Sequence, residues 1–334
     1  MGDAPGVHDL EARVRRGRLT KRRILKDVPA LRFGDGRDCT LPAALAIATG
    51  GEYDWLMGCS GAAFTTTIDE TSWDPLAATP RDPETRTRMA AAAGVRIDPV
   101  DPPFDDEMRA LVLDRLIEGV DTRLLPLELG IGGPEYGLIV GYDDEAPTFY
   151  LRTFFDKDDD LRRVGWDVFE NAERGALTFA DRTAAPDRAR SVRDGIDVAI
   201  ASADASDRAV MSWAATLRDD TRWADSKHAG SAAFADHAMR AVLVDKRRAA
   251  ARFLRAARGL FANAPGGDLL RAAESCGYAA DAAAKGGLGP FDGSVAMRFI
   301  DTGHRRAFAK GLDAVRDHDR EAREALASAR SSIK

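Results

Sequence analysis

Three cysteines, Cys39, Cys59 and Cys276, are the side chains of this 334-residue sequence best suited to covalent chemistry. Cys39 stands in Asp38-Cys39-Thr40-Leu41-Pro42-Ala43-Ala44-Leu45-Ala46-Ile47-Ala48, which reads as a helix start. Asp38 is able to cap, Pro42 falls in the first turn where its missing N–H costs nothing, and an Ala/Leu/Ile run follows. A thiol at a helix opening meets unpaired backbone N–H groups and the positive end of the dipole, which lower its pKa and can hold an oxyanion. That is the seat of a cysteine nucleophile; the other reading of the position is a small buried hydrophobe at a helix junction. Cys59 lies on a turn of small residues and is expected to be buried. An odd number of cysteines without a repeated spacing argues for free thiols and against a disulfide framework.

A nucleophilic thiol needs a base within hydrogen-bond reach, a group that orients the base, and an oxyanion hole. The five histidines, His8, His228, His237, His304 and His318, all lie far from Cys39 in sequence, and His228 and His237, nine apart, do not share a helix face. With no Cys-x-x-Cys and no histidine pair at ligand spacing, neither a metal site nor a cofactor is expected. Gly286-Gly287-Leu288-Gly289-Pro290 lacks the Lys-Ser/Thr of a phosphate loop, and Gly130–Gly133 precedes a strand where a dinucleotide fingerprint requires a helix. The acidic candidates are Glu135, as base or as anchor for a polar ligand, and Asp143 at the other end of the same strand, which can equally cap a hairpin turn. Asp38, Trp55 and Tyr136 are expected to line a ligand pocket.

The elements that must position these residues change character along the chain. Residues 1–23 form a polar basic arm. An extended segment at Ile24–Phe33, interrupted by Pro29, turns at Gly34-Asp35-Gly36 into the Cys39 helix, which closes at Gly50-Gly51. Tyr53–Met57 reads as a short helix or turn. Gly58-Cys59-Ser60-Gly61-Ala62-Ala63-Phe64 then allows close backbone approach, to a ligand or to a neighbouring helix, and leads into a β-branched strand at Thr65–Ile68. Helical patches fall at Glu84–Ala93 and Asp105–Glu118, and strands at Leu124–Leu129, Glu135–Tyr142, Thr148–Phe155 and Gly175–Phe179, with a short helix at Trp166–Glu173. From about residue 184 strand signals vanish, and helices are expected near 189–203, 206–217, 228–262, 266–284 and 294–330. The expected fold class is therefore α+β: a helix packed on an antiparallel sheet over 24–183, followed by an all-α bundle over 184–334.

Composition bounds the class of protein. The net charge of −6 gives no reason to expect nucleic-acid binding. No window approaches the ~20 apolar residues of a membrane span, and the charged N-terminus lacks a signal peptide's apolar stretch, so a cytoplasmic protein is expected. Eight Lys against 40 Arg, and no Gln, point to a high-GC prokaryotic genome rather than to a function.

Asp-Cys-Thr-Leu-Pro-Ala-Ala-Leu at 38–45 resembles the nucleophile helix of the papain-like double-glycine peptidases, and Gly-Leu-Ile-Val-Gly-Tyr-Asp-Asp at 137–144 resembles their histidine strand. Met57-Gly58-Cys59-Ser60-Gly61-Ala62-Ala63-Phe64 is similar to the turn after the cysteine helix in the butirosin-biosynthesis acyltransferase type. The helical half, with Ser212-Trp213, Asp245–Leu254 and Leu270–Ala273, is similar to the helical tails of bacterial proteins of that group. Membership implies a papain-like fold and thiol-dependent acyl transfer or amide hydrolysis through Cys39, on a small molecule, a peptide or a carrier-bound acyl group. At the place of the family's histidine, 134–136, this sequence has Pro134, Glu135 and Tyr136, and no Gln precedes Cys39. The second reading is therefore a papain-like fold that holds a small molecule or peptide in the former cleft without covalent chemistry. A third is a structural role, with the helical half as a platform for homo-oligomerisation.

Overall fold

The computed structural model describes residues 22–333 apart from 144, 147, 158–159, 171–175, 225, 262–263, 286–287 and 289–291; most of the basic arm lies outside these residues. A short strand β1 (Arg22–Ile24) precedes helices α1 (Thr40–Thr49), α2 (Tyr53–Cys59) and α3 (Pro83–Ala92). Strand β2 (Val95–Val100), helix α4 (Asp106–Thr122) and strands β3 (Leu127–Leu129), β4 (Tyr136–Asp143), β5 (Thr148–Arg152) and β6 (Arg162–Gly165) follow. A one-turn helix α5 (Trp166–Glu170) and strand β7 (Ala176–Arg182) complete the sheet-bearing part.

All strand pairs are antiparallel, in the order β2-β7-β3-β4-β5-β6, and β1 pairs with Gly141–Asp143 of β4 beyond the end of β3. The continuous run Leu-Ile-Val-Gly-Tyr in β4 is buried on both faces, as expected for a central strand with both α1 and α4 packed against it. Helix α1 packs across β3 and β4, and its last turn is joined to the sheet where the Leu125 N–H donates to the Ala48 carbonyl at 3.1 Å. Gly50 ends it in the left-handed conformation at φ 72°, as the Gly-Gly pair requires.

Beyond β7 the described chain is helical: α6 (Arg188–Ala201), α7 (Ala203–Arg218), α8 (Ser226–Ala257), α9 (Ala264–Ala284), α10 (Gly293–Ile300) and α11 (Thr302–Ser332). The protein is thus α+β, an antiparallel sheet of seven strands followed by C-terminal helices. Most buried apolar residues from Leu25 to Ile333 form one continuous core across both parts, with Ala90, Val95 and Ala180 in a small separate cluster. Its seam is built from small residues: a Cβ at Gly58 would overlap the Phe253 ring of α8, and one at Gly195 would overlap the Gly58 carbonyl. The small-residue turn at 58–64 thus serves helix packing.

Four expectations need correction. Thr65–Ile68 is not a strand, because its polar groups are taken by the helices: the Ser206 hydroxyl accepts from the Thr66 N–H at 3.1 Å. Strand β2 falls where no element is expected from the sequence and runs through Asp98 and Pro99; as an edge strand paired only with β7 it tolerates a residue without an N–H. Strand β6 was not expected at all; its Arg-rich sequence sits at the opposite edge of the sheet. The helix expected over 294–330 is two, broken at Asp301, whose carboxylate caps the second by accepting from the Gly303 and His304 N–H groups.

Candidate functional site

The site is built where α8 crosses the opening of α1. Cys39 is the N-cap of α1, in extended conformation at φ −82°, and Pro42 lies in the first turn as the sequence implies. Asp38 does not cap. Its carboxylate turns back to accept the Gly34 N–H at 2.6 Å, and the helix opening is satisfied instead by Asp245 of α8. Asp245 Oδ2 accepts from the Asp38 N–H at 3.1 Å, from the Cys39 N–H at 3.4 Å and from the Tyr53 hydroxyl. Tyr53, at the start of α2, also accepts from the Cys39 N–H at 3.3 Å. A carboxylate at a helix N-terminus is favoured by dipole and unpaired donors alike, so the arrangement ties the two parts of the chain together.

This neighbourhood inverts the thiol chemistry expected of Cys39. The residue is completely buried. Burial, with a further push from the Asp245 carboxylate and only partial opposition from Lys246 and the Tyr53 hydroxyl, holds the thiol above its ordinary range. Full desolvation shifts a titratable group by up to ~3–5 pKa units, whereas a helix terminus is worth ~0.3–1 kcal/mol, under one unit. Desolvation wins, and the thiol is neutral. Cys59 and Cys276 are also free and buried, the latter pushed up to about 12 by burial. Burial likewise raises Asp245, to about 6, against the lowering effect of the Tyr53 hydroxyl, and its second oxygen, Oδ1, has no hydrogen-bond partner among the described residues.

Next to this cluster lies a cavity of about 440 Å³ walled by the 65–67 segment and the 74–85 segment, with Lys246 of α8 at its base. Lys246 is 2% exposed. Its Nζ donates to the Thr65 carbonyl at 3.2 Å, and no described carboxylate lies within ion-pair distance. Burial pulls its pKa down to about 8, helped by the adjacent Arg247 and opposed by the Asp245 and Asp82 carboxylates. Across the cavity Arg81 donates to Glu135 Oε2 at 2.5 Å and, through Nε, to the Thr79 hydroxyl at 2.8 Å. Glu135 Oε2 also accepts from the Thr40 hydroxyl at 2.6 Å. The two aspartates of the wall are engaged as helix caps, Asp74 accepting from the Leu76 N–H and Asp82 from the Thr85 N–H. The wall therefore offers a ligand the Lys246 ammonium and the Nη1 edge of Arg81, whose Nη2 and Nε are held by Glu135 and Thr79, while Asp74 and Asp82 cap helices.

The sequence-derived candidates divide accordingly. Cys39, Asp38 and Glu135 come together at the opening of α1, although Glu135 bonds the residue after the cysteine rather than the thiol. Asp143 does not join them: it lies at the far end of β4, roughly 25 Å along the strand, where it accepts the Glu145 N–H and pairs with Arg22 at 3.8 Å. Trp55 is a packing residue, edge-on to Phe253 with the Arg188 guanidinium 3.9 Å above its ring. Tyr136 is buried at the start of β4 and does not line the cavity. His237 sits about 12 Å along α8 from Asp245, and His304 and His318 pair with Asp301 and Glu321. Tyr53, Arg81, Asp245 and Lys246 were missed. The available signal was Asp245-Lys246-Arg247-Arg248, four charges flanked by Val242–Val244 and Ala249–Ala251. Consecutive residues step 100° around a helix, so a core helix cannot turn all four to water.

A separate buried acid, Glu128 of β3, accepts the Ile131 and Gly132 N–H groups at 3.0 and 2.9 Å through Oε2, while Oε1 has no hydrogen-bond partner among the described residues. No group of three metal-ligating side chains occurs among the described residues, and no described helix is long and apolar enough to cross a membrane. By fold the molecule belongs to the α+β class with an antiparallel sheet, its candidate site a cavity beside a helix opening whose wall carries Lys246, Arg81, Asp74 and Asp82. In comparison with known proteins, no family model and no curated protein matches the chain.

Proposed function

We propose that this chain is a binding protein for a small anionic molecule, held in the cavity between Lys246 and Arg81. The observation that carries the reading is Lys246: a desolvated ammonium facing a cavity, with no carboxylate to neutralise it, gains a charge-assisted partner when a carboxylate or phosphate enters. The helix α1 opening toward the start of β4, with Glu135 where a papain-like enzyme has its histidine, supports a papain-like ancestry in which the cleft has kept a ligand and lost the covalent step. The buried, neutral Cys39 supports the same loss.

Isothermal titration with oxalate and with inorganic phosphate tests this. Saturable binding is expected, weakened at least tenfold in Arg81→Ala and in Lys246→Met, while iodoacetamide leaves Cys39 unlabelled in the folded protein. Absence of binding by both anions overturns the reading. A second reading, acyl transfer or amide hydrolysis through a Cys39 thioester on a small molecule, peptide or carrier-bound acyl group, is favoured by the N-cap position of Cys39 with Lys246 beside it. Rapid alkylation of Cys39, with an apparent pKa below the ~8.5 of a free thiol, would establish it in place of the first.

A further inference from the structure

We infer that Lys246 forms an imine with its ligand, so that the cavity takes a small aldehyde or keto acid, with the ligand's anionic group on Arg81 and its carbonyl carbon at Lys246 Nζ. The inference rests on the anion-binding reading above and adds to it the chemical class of the ligand.

The geometry separates Lys246 from an ordinary buried lysine. Nearly always a buried ammonium is matched by a carboxylate, which fixes it in the charged, non-nucleophilic form. Lys246 Nζ is held by a peptide carbonyl, that of Thr65 at 3.2 Å. A carbonyl also accepts an N–H from the neutral amine, though more weakly than from the ammonium, so the nitrogen can keep this partner on losing a proton and expose a lone pair. The charged groups that act on it are Arg247, which like burial disfavours its charge, and Asp245 and Asp82, which favour it; with the Cys39 thiol neutral, burial and Arg247 outweigh the two carboxylates. A desolvated lysine beside another cation is the arrangement that makes an amine nucleophilic near neutral pH. Asp82 bonds the Thr85 N–H and Asp245 bonds Tyr53 and the α1 opening, and neither makes an ion pair with Nζ.

In the reaction, the ammonium releases a proton to water at the cavity mouth and the amine nitrogen attacks the carbonyl carbon. The carbonyl oxygen takes up the two protons that the amine nitrogen gives up and leaves as water as the C=N bond forms. No oxidant or reductant is consumed, and the step reverses by hydrolysis. The cavity volume of about 440 Å³ leaves ample room for a molecule of a few carbons with one carboxylate or phosphate.

Reductive trapping of the full-length protein tests the inference. Glyoxylate, an aldehyde carrying a carboxylate, is added with cyanoborohydride and the modified lysines are located by peptide mass spectrometry. Lys26, Lys157, Lys285 and Lys310 are exposed and serve as internal controls. At pH 7 Lys246 is expected to be modified at least tenfold faster than these four, with a rate that rises with pH and levels off above about 8. Acetaldehyde, which lacks the anion, is expected to lose most of that preference, and Lys246→Arg to lose the adduct. Modification of Lys246 no faster than the exposed lysines overturns the imine. If oxalate still binds the wild-type protein in that case, the anion-binding reading stands and the imine alone fails; if oxalate does not bind, both fail.

Discussion

Lys246 and Arg247 are neighbours on α8, both almost wholly buried, and they meet opposite fates. Arg247 is saturated: Nε and Nη2 form a two-pronged pair with Asp319 of α11 at 2.7 and 2.6 Å, Nη1 donates to the Ala63 carbonyl at 2.8 Å, and Nη2 also reaches the Thr66 hydroxyl at 2.8 Å. Lys246, one residue earlier and 100° around the helix, has the Thr65 carbonyl and a cavity. The same desolvation acts on both, yet Arg247 is held above its ordinary pKa range although burial opposes its charge, because Asp319 attracts and bonds it, while Lys246 is pulled down. The difference teaches that burial of charge alone marks nothing. A charge whose partners are complete joins helices; a charge left short of partners beside an open volume is available to a ligand.

The largest expected effect comes from breaking the saturated side. Arg247→Met leaves Asp319 ionised without its partner in the core, and should cost about 3–5 kcal/mol of unfolding free energy, read from urea denaturation. A loss below 1 kcal/mol would mean that the pair only breaks even, and the contrast with Lys246 would collapse.

Glu128 sharpens the comparison from the acidic side, since one of its oxygens is satisfied and the other is not. Burial, only partly offset by the Gly132 and Ile131 N–H groups, pushes its carboxyl up to about 7. The folded state therefore binds the proton more tightly than the unfolded chain, whose carboxyl titrates near ~4.3. Its contribution to stability is present in full below that pH and is lost as pH rises through 7. Relative to Glu128→Gln, which does not titrate, the wild type should lose on the order of 3 kcal/mol between pH 4 and pH 8; parallel pH profiles for the two proteins would show that the carboxyl is not raised. Asp245 titrates in the same direction, up to about 6, and cancels in this difference.

The smallest expected effect is on Lys246 itself. Lys246→Met removes a desolvated amine and keeps most of the volume, so unfolding free energy at pH 7 should stay within ~1 kcal/mol of wild type or rise. A cost as large as that of Arg247→Met would make Lys246 a structural residue like its neighbour.

Much of the frame was legible before any coordinates. The α1 opening with Pro42 in its first turn, the Gly50 stop, the β4–β5 hairpin and the change to helices near residue 184 are local patterns of capping, period and turn chemistry, and local patterns survive folding. The edge strands β2 and β6 were not legible, because an edge strand with one neighbour admits Pro99 or a run of arginines that a central strand would exclude. The same limit applied to the site. Helix position argued for a reactive thiol at Cys39, and that argument holds only while the helix opening faces water.

By itself the sequence determined that a cysteine would open an apolar helix beside an acidic residue rather than a histidine, that an antiparallel hairpin would lie behind it, and that an Ala-rich helical region would follow. Tertiary structure alone decided what those pieces do to one another. Asp245 is 206 residues from Cys39 along the chain, yet it caps the helix that Cys39 opens and helps keep the thiol neutral. Lys246 comes to the base of a cavity whose walls are built from residues 65–85. Electrostatic character depends on how much water is removed and on which partners replace it, and both are properties of packing between distant segments that no local pattern encodes.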